Sequence, residues 1–167
     1  TLAAVGNVIY SPRRSSADRH NGKQAAVMLY SFAADIMGKS LSVLVMDDAP
    51  VVRRLIVKLV NGIKGVDTVL QAGDAPSAVA LMEEHSPEIA ILDIKVPGGK
   101  GLRNGIDVLR AMKVAQPDMA VIMLTNHATP RYKTECEQAG ANYFFDKSSE
   151  FDKLPLVIEE LVEGLLS

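Results

Sequence analysis

Cysteine is almost missing from this chain. Cys136 is the only one in 167 residues, so no internal disulfide can form and a reducing compartment is expected. It reads as a half-buried helix residue rather than a reactive thiol. Long apolar runs are also lacking: no stretch approaches the roughly 20 residues that span a bilayer. Neither a secretory signal nor an internal repeat is present. Nor is there an excess of charge of one sign. The formal net charge of −2 gives no reason to expect nucleic-acid binding. A soluble, cytoplasmic chain without direct nucleic-acid or membrane contact is the expectation. What is present is a globular composition, 48% hydrophobic and 23% charged, too apolar for a disordered chain. The length allows one domain with a core and a tail.

Residues 1–40 differ from the rest. Ser11 to Gly22 is polar and basic without usable periodicity, which suggests a disordered arm. This segment holds five Lys/Arg against two acidic residues, a net of +3, and the remainder 13 against 18, a net of −5. Ala25 to Met37 has the makings of a helical turn or two. Met37-Gly38-Lys39-Ser40 reads as a natural start, so the first 36 residues are expected to be an upstream extension or sequence from an expression vector. A basic arm that docks a partner is the sharper alternative.

From residue 41 the pattern is regular. Leu41–Met46 reads as a strand ending at Asp47-Asp48, and Pro50–Ile63 as a helix with apolar residues at helical spacing. Val66–Gln71 is a second strand, and Asp74 caps a helix over Ala75–His85. Glu88 to Asp93 is a short apolar run between Pro87 and the turn Pro97-Gly98-Gly99, a strand buried on both faces. A helix over about Asn104–Ala115, a strand Met119–Leu124 ending on Thr125 and a helix Pro130–Ala139 follow. Tyr143–Phe145 is a fifth strand ending at Asp146-Lys147, and Pro155–Leu166 a last amphipathic helix whose stripe should mostly face the core. Five strands alternating with five helices predict an α/β fold: a doubly wound five-stranded parallel sheet. Right-handed crossovers then bring all the strands' C-terminal ends to one edge.

That edge would gather Asp47, Asp48, Asp93, Thr125 and Lys147 from four separate stretches. Clustered carboxylates repel, and a hard cation relieves them; Mg²⁺ suits an oxygen site that keeps waters and takes a phosphoryl oxygen. Lys147 adds a point charge able to pair with one carboxylate or an incoming phosphoryl group. Thr125 offers a hydroxyl, and one carboxylate left free can attack, as in aspartyl-phosphate chemistry. Each residue alone has a plainer use: capping the first helix, closing a strand, or sitting solvated at the surface.

Val45-Met46-Asp47-Asp48, Ile91-Leu92-Asp93-Ile94-Lys95-Val96-Pro97, Met123-Leu124-Thr125 and Ala139 to Lys147 together resemble the receiver domain of bacterial two-component response regulators, over residues 41–167. The resemblance implies the flavodoxin-like receiver fold with Asp93 as phosphoacceptor. It also implies Mg²⁺ on Asp48, Asp93 and the Lys95 carbonyl, with Asp47 acting largely through water. Thr125 would be the switch hydroxyl, Lys147 would hold a phosphoryl oxygen, and Phe144 would match the aromatic that turns inward. The implied partners are a sensor histidine kinase or histidine phosphotransfer protein, and a downstream protein met through the fourth helix, fifth strand and fifth helix. With no effector domain after Ser167, a single-domain regulator that is not itself an enzyme is expected, with a homodimer through the last helix as a further option.

Four departures from the family pattern stand out. The loop Gly98–Asn104 is about four residues longer than usual and carries Lys100 and Arg103 near the site. Asn126 follows the switch threonine where a small residue is usual, and would crowd it. Ser148 replaces the usual proline after Lys147, which makes a cis peptide there costly, at about 2.5–4 kcal/mol. Lys95 and His127 occupy the positions that tune acyl-phosphate lifetime. Among rivals, a haloacid-dehalogenase-type phosphatase would want a second aspartate where Lys95 stands. A flavodoxin-like cofactor module would find Asp47-Asp48 repelling its phosphate. A receiver-like module working without phosphorylation is the remaining alternative.

Overall fold

The computed structural model describes residues 40–167. The expected N-terminal arm and the helical turns within Ala25–Met37 lie outside them. Chain order is β1 Leu41–Met46, α1 Pro50–Val60, β2 Val66–Ala72, α2 Ala75–His85, β3 Ile89–Leu92, α3 Gly105–Ala115, β4 Ala120–Thr125, α4 Pro130–Gln138, β5 Tyr143–Asp146 and α5 Lys153–Leu166. All pairings are parallel and the sheet order is β2-β1-β3-β4-β5. The doubly wound α/β reading therefore holds. Among the described residues no helix is long and apolar enough to cross a membrane.

Alternation along the strands divides the core into two layers. Leu44, Met46, Ala90, Leu92, Val121 and Met123 face one side, where Ala78 and Met82 of α2, Leu109 and Met112 of α3 and Cys136 of α4 cover them. Val43, Val45, Ile89, Ile91, Ile122 and Leu124 face the other, under Ile56 of α1 and Leu154, Ile158 and Val162 of α5. β3 is buried at all four positions because both its faces are covered. Every methionine among the described residues (Met46, Met82, Met112, Met119 and Met123) lies in the first layer, and none in the second.

Helix starts follow the capping residues. The Asp74 carboxylate accepts from the Ser77 N–H at 2.8 Å, and Asn104 Oδ1 from Ile106 and Asp107 N–H. Thr129 does the same for Tyr132, and a proline stands in the first turn of α1, α2 and α4.

Four details differ from the sequence expectation. α1 ends at Val60, because Gly62 and Ile63 already donate to carbonyls three residues back. α5 starts at Lys153, ahead of Pro155: two tight turns from Glu150 and Phe151 begin it. The missing proline N–H then falls in the first turn, where no intrahelical partner is needed. Cys136 is fully buried rather than half-buried, and burial raises its pKa to about 11. Of the apolar positions on the outer helices, Leu55 is 54% and Leu156 67% exposed, so neither contributes to the core.

Candidate functional site

Because sheet order reverses between β1 and β3, the crevice beyond their carboxyl ends is where this topology places a ligand site. Asp47 and Asp48 follow β1, Asp93 follows β3, Thr125 closes β4 and Lys147 follows β5. Carboxylate oxygens of Asp47, Asp48 and Asp93 lie within 4.8 Å of one another. The Lys147 ammonium donates to Asp47 Oδ2 at 2.5 Å and to Asp93 Oδ2 at 2.6 Å. It thus pairs with two carboxylates at once. Burial pulls the Lys147 pKa down, but hydrogen bonds to Asp47 and Asp93 and the attraction of their charges outweigh it. The net shift is upward.

The remaining oxygens are less committed. Asp93 Oδ1 receives only a long 3.3 Å contact from the Lys95 N–H, and Asp47 Oδ1 accepts from the Ala49 N–H at 2.9 Å. Asp48 is exposed. Three carboxylates against one ammonium leave two negative charges in surplus, all on hard oxygen donors. That donor set fits Mg²⁺.

Thr125 is fully buried, and its Oγ1 accepts from the His127 N–H at 3.2 Å. Its carbonyl accepts from the Lys147 N–H at 3.0 Å, tying β4 to the lysine. Phe144 is half-buried against the methionine layer. Lys95, Asn126 and His127 are exposed at the rim. The Lys147–Ser148 peptide is trans, as are all described peptides.

Beside the carboxylates runs a cleft of about 420 Å³ bordered by Asp48, Lys95, Pro97, Arg103, Asn104 and Tyr132. Arg103 thus reaches the site as expected, whereas Lys100 is not among the residues bordering this cleft. Three residues that sequence reasoning passed over also shape the site. Arg53 Nη1 donates to the Asp47 carbonyl at 2.5 Å, Tyr132 brings α4 to the cleft, and Gly105 packs against Asp93. A Cβ on Gly105 would lie 1.9 Å from the Asp93 carbonyl oxygen, and its N–H donates to Ile94 O at 2.8 Å. Arg53 and Tyr132 carried no signal in the linear pattern. Gly105 stood at the predicted helix start, where glycine is a poor helix former and invites a packing reason.

The model of the response regulator receiver domain family matches residues 43–159. Response regulator GacA of Pseudomonas aeruginosa is 28% identical over 124 residues, covering 74% of this chain and 56% of that protein. The DNA-binding transcriptional activator DevR/DosR of Mycobacterium tuberculosis is also 28% identical, covering 74% and 55%. The chain spans about half the length of these curated relatives. Among solved structures, a two-component response regulator of the LuxR family from Aurantimonas sp. SI85-9A1 aligns with a TM-score of 0.66 at 27% identity, over 75% of this chain and 86% of that one. The signal receiver domain of NarL from Mycobacterium tuberculosis gives a TM-score of 0.66 at 26% identity, over 75% and 98%.

Proposed function

The chain belongs to the response regulator receiver domain family, and from that premise we propose that it is a phosphoacceptor switch, with the receiver domain over residues 41–167 and Asp93 the residue modified. The observation that carries this reading is the Asp93 carboxylate at the C-terminal end of the central strand. One of its oxygens is held by Lys147 and the other is nearly free, beside Asp47 and Asp48. In the proposed step an Asp93 oxygen attacks the phosphorus of a phosphohistidine. The O–P bond forms as the P–N bond breaks, and the imidazole leaves with the electron pair and takes up a proton from solvent. Asp48, Asp93 and the Lys95 carbonyl would hold Mg²⁺, with Asp47 acting through water; when bound, the ion supplies positive charge to the phosphoryl oxygens.

The chain's own residues do the rest. Lys147 keeps Asp93 oriented and supplies charge to the oxygens that develop it. Thr125 closes β4, the strand paired directly to β3, and from there follows the new phosphoryl group once its contact with the His127 N–H breaks. Phe144 then turns toward the space behind it, changing the surface formed by α4, β5 and α5. Proposed partners are a histidine kinase or phosphotransfer protein in the cytoplasm and a downstream protein on that surface. Leu156, exposed on α5, suits a homodimer contact there. The receiver acts by accepting a phosphoryl group rather than by turning over a substrate.

Incubation with acetyl phosphate and Mg²⁺, followed by mass mapping, is expected to place one phosphoryl group on Asp93. Beryllofluoride is expected to give a Mg²⁺-dependent spectral change that Asp93→Asn abolishes. A folded chain that takes no label would instead support the module that works unphosphorylated. Lys95 and His127 are proposed to tune the label's lifetime. Exchanging both for small neutral residues should shorten its half-life severalfold, and an unchanged decay would remove them from that role.

A further inference from the structure

The long loop between β3 and α3 is not slack. Gly99 and Leu102 exchange backbone hydrogen bonds at 2.8 and 3.0 Å, and the Pro97 carbonyl accepts from the Ala75 N–H at 2.9 Å. Lys100 and Gly101 have left-handed backbones, and a Cβ on Gly98 would collide with the Leu102 carbonyl. The turn is therefore fixed, and it delivers Arg103 to the border of the cleft that Asp48 and Lys95 also line.

There the guanidinium lies on Asp107. Nε donates to Oδ2 at 2.8 Å and Nη2 to Oδ1 at 3.0 Å, and the Arg103 N–H also reaches Oδ2. The Arg103 side chain is 78% exposed, so water screens this pair. Asp107 has a second partner, Arg110, at 3.1 Å, and Arg110 in turn reaches Glu135 of α4 at 2.9 Å. Arg103 can thus leave Asp107 without stranding a carboxylate, by side-chain rotation alone.

Resting on the phosphoacceptor reading above, we propose that Arg103 is a second basic ligand of the phosphoryl group. It is parked on Asp107 while Asp93 is unmodified, and turns into the cleft to bind phosphoryl oxygens once Asp93 carries them. The group it would leave Asp107 for bears nearly twice the charge and matches the guanidinium fork as well as a carboxylate does. Held over the acyl phosphate, the arginine obstructs water and lengthens the life of the modified state. Lys100, the loop's other base, takes no part.

The test uses the full chain labelled with acetyl phosphate, and compares it with Arg103→Ala, Arg103→Lys and Asp107→Asn. Arg103→Ala is expected to shorten the label's half-life by about fivefold, Arg103→Lys to restore part of it, and Asp107→Asn to lengthen it by unparking the arginine. The Arg103 Nε–H resonance of the unsubstituted chain is expected to move on adding beryllofluoride with Mg²⁺. Label on Asp93 with a half-life within twofold of the parent in Arg103→Ala, or a stationary Nε–H resonance, overturns the proposal alone. A parent chain that takes no label on Asp93 overturns the phosphoacceptor reading and this proposal with it.

Discussion

Replacing Lys147 with methionine is expected to destabilise the chain by about 3–5 kcal/mol near neutral pH, the range for removing one partner of a buried ion pair. The reasoning is electrostatic. Lys147 is the partner that the side chains of Asp47 and Asp93 share, and both carboxylates are buried, at 1% and 7% exposure. Without the ammonium they face each other unpaired. The gap between parent and variant should depend on pH on the alkaline side. Lys147 titrates above its ordinary value, so its stabilisation is fully present below the lysine range and is lost as pH rises through that raised value. Urea unfolding at several pH values, with and without Mg²⁺, measures this. Added Mg²⁺ should return part of the loss. A gap under about 1 kcal/mol, of the size of a surface pair, would mean that the ammonium is not holding the site together.

Gly105→Ala is the second large effect, expected to cost about 3 kcal/mol and to slow labelling of Asp93. The position needs no unusual backbone; what it needs is the absence of a side chain. The added methyl would stand 1.9 Å from the Asp93 carbonyl oxygen and 3.1 Å from the Ile94 Cα. Both are backbone atoms with no rotamer to yield, so the peptide that carries the phosphoacceptor must shift. Gly164→Ala is the matching control. It lies inside α5 with open space around the added carbon, so it should gain about 0.5–1 kcal/mol. Denaturation midpoints of the two variants against the parent decide the matter. Equal and opposite small shifts would show that the α3 terminus relaxes freely and that Asp93 is not pinned from behind.

The elements and the ligand edge were legible because four of the five strand-length runs lead into polar residues, Asp47, Asp93, Thr125 and the pair Asp146-Lys147, while β2 runs into Gly73. Periodicity says which residues could be buried, though not what covers them. Leu55 and Leu156 follow the helical stripe and still face solvent, whereas Cys136, on a weakly apolar helix, is sealed in the core. Pairings were harder to read than positions. That Lys147 bridges two carboxylates, or that Arg53 reaches the Asp47 carbonyl, depends on where separate strands and helices converge. The Asp107–Arg110 pair was within reach, since a spacing of three residues meets on a helix face, whereas Arg103 joins it from the loop ahead of the N-cap Asn104. The pair's link to Glu135 on another helix was not.

The uneven distribution of methionine between the two sides of the sheet has a mechanical consequence. Thioether side chains bend at several torsions and refill space as their neighbours move, while valine and isoleucine are stiff at the first torsion. The wall beneath α2, α3 and α4 is therefore the compliant one, and Phe144 and Tyr132 lean on it. The wall beneath α1 and α5 acts as an anvil. A push arriving at the carboxyl edge would be taken up more readily on the methionine side, where Phe144 lies, and passed on more stiffly toward α5.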